Sequence, residues 1–230
     1  MSNDRLWLLI DADDTLWENS VYFERAFEEF AAFLDHPELS SPEVREILDA
    51  IEVENIRVNG YGSANFGRNM QQCFRRLARR EFSDPELDAV AEMAAEILRK
   101  PVELLEGVAE TLEHLSKRHH LTLFSKGSTQ EQLDKFKRSG LESHFDDCRI
   151  VHEKNASAYR RLLEEGERHH ERTWMIGNSP KSDIHPALEA GLGAVLVPHE
   201  FTWSLEASEL PDPSERFRVV ERFADLQVIF

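Results

Sequence analysis

The sequence predicts an α/β fold: a parallel sheet with helices on both faces, interrupted early by an all-helical insertion. Three observations carry this reading. Short apolar runs at residues 6–10, 121–124, 173–176 and 194–197 each stop at a polar turn, as buried parallel strands do. The later runs alternate with stretches of helical period, and strand–helix alternation builds a parallel sheet. Residues 17–100 hold no convincing strand, so residues 1–16 and 101–230 form one core and 17–100 a helical cap over it.

Each element has its own signal. Tyr22, Phe23, Ala26, Phe27, Phe30, Phe33 and Leu34 form one apolar stripe among acids, predicting a helix over 22–34. Ser41, Pro42 and Glu43 read as N-cap, first-turn proline and dipole-matched acid, opening a helix to about residue 53. The glycine-rich stretch 59–63 is a loop, 66–80 is helical, and Asp84-Pro85 opens a helix that stops before Pro101. In the core, helices are predicted over 107–117, from Ser128 to Gly140, and from Asn155 to Gly166. A short strand covers 149–152, and a helix containing Pro186 ends at Gly191. The stretch 219–230 reads as a short strand and helix.

Composition excludes several classes. With 27 basic and 44 acidic residues the net charge is −17, which leaves no electrostatic footprint for nucleic acid or an anionic membrane. Two cysteines, Cys73 and Cys148, make no disulfide framework and fit reduced thiols in a cytoplasm. The apolar run after Arg5 is too short for a signal peptide or a membrane span. The expected protein is cytoplasmic, a monomer or homodimer, with a small molecule as its partner.

The chemistry gathers at the strand ends. In a parallel sheet, ligands bind at the carboxyl ends of the strands. Asp11, Asp13, Asp14 and Thr15 follow the first run, Ser125 and Lys126 the second, and Asn178 and Asp183 the third, with Lys154 after a fourth. Carboxylates this close repel unless a cation sits among them. Carboxylates, a hydroxyl, an ammonium and an amide on one edge fit phosphoryl transfer through a covalent intermediate.

The ordered set resembles the haloacid dehalogenase (HAD) superfamily. The first motif, DxDx[TV], is matched by Asp11, Asp13 and Thr15, the second by Ser125 and the third by Lys154. The fourth, an acidic pair after a strand, reads Gly177-Asn178-Ser179-Pro180-Lys181-Ser182-Asp183, with Asn178 where most members carry aspartate. The resemblance implies a Rossmann-like core, a C1-type helical cap and a Mg2+-dependent phosphatase. Its substrate would be a small phosphorylated metabolite of the nucleoside monophosphate or sugar phosphate class. Asp11 would be nucleophile and metal ligand. Asp13 would be general acid and base, its carbonyl also on the metal. Asn178 and Asp183 would complete the metal set, and Thr15, Ser125, Lys126 and Lys154 would serve the substrate, Lys126 being the rival of Lys154. The alternatives are a 2-haloacid dehalogenase, which usually lacks the second aspartate of motif one, a phosphomutase, and a non-catalytic protein of the same fold.

Other features read as bland. Arg68, Arg75 and Arg79 share a predicted helix face that fits solvation and pairing with acids. Residues 59–69, with Tyr61 and Phe66, are the better candidates for substrate contact. The pairs His119-His120 and His169-His170 do not face a common ligand on a helix. His199 and Trp203 follow the last run, where a pocket rim is expected.

Overall fold

The computed structural model describes residues 5–166 and 168–230, so the first four residues of the expected core lie outside it. The chain divides into two units, Met1–Glu18 with Val102–Phe230, and Asn19–Pro101. Among the described residues no helix is long and apolar enough to cross a membrane.

The first unit holds a six-stranded parallel sheet. Its strands are β1 (Trp7–Ile10), β2 (His120–Lys126), β3 (Asp147–Val151), β4 (Thr173–Gly177), β5 (Gly193–Leu196) and β6 (Phe217–Val219), in the order β3-β2-β1-β4-β5-β6. β1 lies at the centre and is apolar on both faces. Leu8 and Ile10 join a core with Leu121, Leu123, Ile176 and Val195. Leu9 points the other way, to Phe124, Met175 and Ala194. Each of the larger side chains among these contributes about 2 kcal/mol by burial. Helices α5 (Val108–Ser116), α6 (Thr129–Ser139) and α9 (Leu226–Ile229) cover the first face; α7 (Ala156–Glu165) and α8 (His185–Glu189) cover the second.

Trp17 belongs to this unit, not to the helical one. It is fully buried against the first core, and its carbonyl accepts the Asp14 N–H at 2.8 Å. The period change after Leu16 marks the end of the turn, and the turn keeps its indole. Pro101 falls on the other side of the division.

The second unit packs α1 (Ser20–Leu34), α2 (Ser41–Asn59), α3 (Ser63–Leu77) and α4 (Asp84–Ala95) around Phe30, Leu48, Ile51, Met70, Phe74 and Val90. The N-cap of α2 is Ser40 rather than Ser41: the Ser40 N–H and hydroxyl both meet the Glu43 carboxylate, at 2.8 and 2.6 Å. α2 also continues six residues beyond residue 53, because nothing before Gly60 breaks it. α3 starts and stops three residues earlier than its pattern predicted, so Arg79 lies past its end and shares no helix face with Arg68 and Arg75. All three arginines are exposed. Gly67 lets α3 approach α4, since a Cβ there would sit 3.2 Å from the Ala94 Cβ.

One buried acid in this unit makes a measurable prediction. Burial pushes Glu52 up to about 8, although Arg45 stands 4.0 Å away. The folded chain therefore keeps a proton on Glu52 that the unfolded chain releases near its ordinary value of 4.5. Stability falls as pH rises through that window. Arg45 keeps its pairs with Glu24 at 3.1 Å and Asp49 at 2.7 Å when Glu52 is replaced. Glu52→Gln is expected to leave the melting temperature unchanged at pH 4 and to raise stability by on the order of 2 kcal/mol at pH 9, read by thermal unfolding at both pH values.

Candidate active site

The sheet register assembles the site. Ile10 pairs with Leu123 on one side and Ile176 on the other, so β1, β2 and β4 end at one edge. Asp11 continues the ladder by one bond, its N–H donating to the Ile176 carbonyl at 2.9 Å. The chain then turns sharply. The Leu16 N–H returns to the Ala12 carbonyl at 2.8 Å, and Asp14 adopts φ 57°, a left-handed conformation that aspartate tolerates better than most residues.

Lys154 is the cation beside Asp11. It follows β3 and is fixed by the start of α7, where the Asn155 side chain accepts the Ala158 N–H at 3.0 Å. Its buried ammonium donates to Asp11 Oδ1 and, at 2.7 Å, to Asp183 Oδ1. Burial works against that charge, but Asp11 and Asp183 outweigh it and hold the pKa above its ordinary value. At Asp11, by contrast, burial prevails. The Lys154 ammonium opposes it, Asp183 adds to it, and the carboxyl is pushed up to about 7. Lys126, the rival, points elsewhere: its ammonium meets Glu206 at 2.5 Å and the Ser182 hydroxyl at 2.8 Å. Ser125 is buried at the edge, its hydroxyl 3.4 Å from the Lys126 carbonyl.

After β4 the chain makes a wide turn before the helix that holds Pro186 begins. Pro180–Ile184 form a π-turn, and the Ser179 carbonyl accepts from both Asp183 and Ile184. The wide turn swings Asp183 back under the sheet edge, where its Oδ2 accepts the Ser179 N–H at 3.0 Å. Gly177 makes the space: a Cβ there would lie 2.2 Å from Asp183 Oδ2. Glu206 ties the turn down by accepting from the Ser179 and Ser182 hydroxyls at 2.6 and 2.5 Å.

The orientation of Asn178 follows from its neighbours. The Thr202 hydroxyl donates its one proton to the His199 carbonyl at 3.0 Å, so it accepts from the Asn178 amide nitrogen at 3.1 Å. The amide oxygen then faces Thr15. Both Asn178 Oδ1 and Asp11 Oδ2 lie near the Thr15 hydroxyl, at 3.4 and 3.3 Å. One hydroxyl proton cannot satisfy two acceptors. Two oxygens converging with a single proton between them suit a hard cation, which takes oxygen ligands.

Asp13 is gripped from three sides. Its Oδ1 accepts from Trp17 Nε1 at 2.7 Å and Lys135 at 2.5 Å, and its Oδ2 from Gln132 at 2.7 Å. Burial pushes this carboxyl up, but the Lys135 charge and the three hydrogen bonds outweigh it and hold the pKa below its ordinary value. Nearby, His199 lies 3.8 Å from Asp14 and 3.3 Å from Glu18, and ligand atoms of all three fall within 4.8 Å of one another.

Sequence reasoning missed Trp17, Gln132, Lys135, Thr202 and Glu206. Trp17 carried a signal, an indole four residues after Asp13 in the same turn. Gln132 and Lys135 show only as the polar side of a helix, and Thr202 and Glu206 come from a stretch without period.

No curated protein sequence matches the chain. Among solved structures, a haloacid dehalogenase-like family hydrolase from Xanthomonas campestris superposes with a TM-score of 0.85 at 25% identity, over 99% of this chain and 95% of that one. The HAD-hydrolase YfnB from Bacillus subtilis, bound to magnesium, gives 0.70 at 15% identity over 99% of each chain. A 2-haloacid dehalogenase from Pseudomonas syringae gives 0.62 at 20% identity, over 98% and 97%. These last two likenesses concern the fold. The sequence profile of the haloacid dehalogenase-like hydrolases matches residues 8–197, which span every strand-end residue described above, and the chain belongs to that family.

Proposed function

We propose that the protein is a Mg2+-dependent phosphatase that hydrolyses a small phosphorylated metabolite, of the nucleoside monophosphate or sugar phosphate class, through an aspartyl phosphate on Asp11. The observation that carries this reading is Asp13. A halide leaves carbon as a stable anion and needs no proton, whereas an alkoxide leaving phosphorus does. A second carboxyl, half-buried two residues from the nucleophile and held by side-chain donors, meets the second need and not the first.

The roles follow from position. Asp11 attacks phosphorus, and Lys154 holds charge on Asp11 and on the phosphoryl oxygens. The Ser125 hydroxyl donates to a phosphoryl oxygen, and Thr15 keeps the turn and the Asp11 carboxylate in place. Asp13 hands its proton to the leaving oxygen, then takes one from the attacking water. A phosphate beside it brings like charge and shuts out water, and both raise a carboxyl pKa. Asp11, Asn178 Oδ1 and the Asp13 carbonyl would hold Mg2+, with Asp183 reaching it directly or through water. When bound, the ion spreads the charge of the phosphoryl group.

The amide orientation can be tested without turnover. Thr202→Val removes the acceptor that sets Asn178 and is expected to weaken Mg2+ binding by about 10-fold in calorimetry, while Thr202→Ser preserves it. Equal affinity in all three proteins would remove Asn178 from the metal set. The function itself is tested by phosphate release from a panel of metabolite phosphates, and halide release from 2-haloacids, with Mg2+ or EDTA. Metal-dependent phosphate release supports the reading. Halide release alone moves the chain to the dehalogenases, and neither product moves it to the binding proteins.

A further inference from the structure

The hold on Asp13 is more than a surface ion pair. Its donors arrive from two separate segments, the turn after β1 through Trp17 and the first turns of α6 through Gln132 and Lys135. Gln132 and Lys135 are three residues apart and so share a helix face. Gln132 also donates to the Lys126 carbonyl at 3.1 Å, which ties the grip to the end of β2. The start of α6 is set by Ser128, whose hydroxyl accepts the Glu131 N–H at 3.4 Å. Donors on both oxygens fix both torsions of the Asp13 side chain.

We propose that Lys135, with Gln132, is a positioning residue that aims the Asp13 carboxyl at the leaving oxygen of the substrate. This rests on the phosphoryl-transfer reading. In the first step an Asp11 oxygen bonds to phosphorus, the ester P–O bond breaks, and its electron pair stays on the leaving oxygen, which takes the Asp13 proton. In the second, a water oxygen bonds to phosphorus, the water proton goes to Asp13, and the Asp11–phosphorus bond breaks to release phosphate. The benefit of aiming Asp13 therefore grows with the basicity of the leaving group. A p-nitrophenolate departs without a proton, and a sugar alkoxide does not.

A purely structural ion pair joining α6 to the turn would lower both rates alike, so leaving-group dependence separates the two roles. The experiment compares wild type, Lys135→Met, Lys135→Arg and Gln132→Met, as full chains with Mg2+, on p-nitrophenyl phosphate and on the best alkyl phosphate. Lys135→Met is expected to lower kcat/KM on the alkyl ester by about 100-fold and on the aryl ester by less than about 5-fold. Lys135→Arg should recover most of the loss. Gln132→Met should show the same selectivity at smaller size, and it carries the test if Lys135→Met does not fold. Equal losses on both esters, or none, would overturn the positioning role and leave the phosphatase reading intact. A wild type inactive on both esters would remove that reading and the role of Lys135 with it.

Discussion

Asp11→Asn is expected to abolish phosphate release, by about 10^4-fold or more, while the protein becomes no less stable. The amide keeps the size of the side chain but is a far weaker nucleophile toward phosphorus. The stability half of the expectation comes from burial. The Asp11 carboxyl shares Lys154 with Asp183 and is pushed up to about 7, so the fold holds that second carboxylate at a cost. The folded chain binds a proton there that the unfolded chain has released, and stability falls as pH rises from about 4 toward 7. Asparagine removes the cost, and Lys154 keeps Asp183 as its partner. Phosphate release and thermal unfolding at pH 8 check both parts. Retention of more than about 1% of the turnover would exclude Asp11 as the nucleophile. A lower melting temperature would mean that Lys154 needs both acids.

Lys154→Met carries the largest stability change. It leaves Asp11 and Asp183 buried, adjacent and without their shared cation. Removing one partner of a buried pair costs about 3–5 kcal/mol, which for a chain of this size lowers the melting temperature by about 10 °C. Turnover should fall by about 10^3-fold, since the phosphoryl oxygens lose a fixed charge in a dry site. The loss of stability should be smaller in an Asp11→Asn background, where one of the two stranded carboxylates is already gone. Equal losses in both backgrounds would show that Lys154 acts through Asp183 alone. Methionine is the right replacement because it fills the space over the Phe124 ring, which lies 5.7 Å from the ammonium.

The sequence by itself determined the α/β core, the helical block and the order of the strand-end residues. Each of these rests on local chemistry. A buried parallel strand must be apolar on both faces, so residues 7–10 and 173–176 could be little else. Helix ends need capping groups, so Ser128 and Asn155 announced α6 and α7. The edge on which Asp11, Ser125 and Asn178 emerge follows from strands that all run one way. Motif order favoured Lys154 over Lys126, but only tertiary structure shows why: packing turns Lys126, the last residue of β2, toward Glu206 and leaves Lys154 to face Asp11. Tertiary structure also decided the π-turn that returns Asp183 under Gly177, the Thr202 hydroxyl that sets the amide of Asn178, and the grip of Trp17, Gln132 and Lys135 on Asp13. These depend on where side chains distant in sequence meet. A spacing pattern records the period of one segment, and a hydrogen bond between two segments leaves no trace in either.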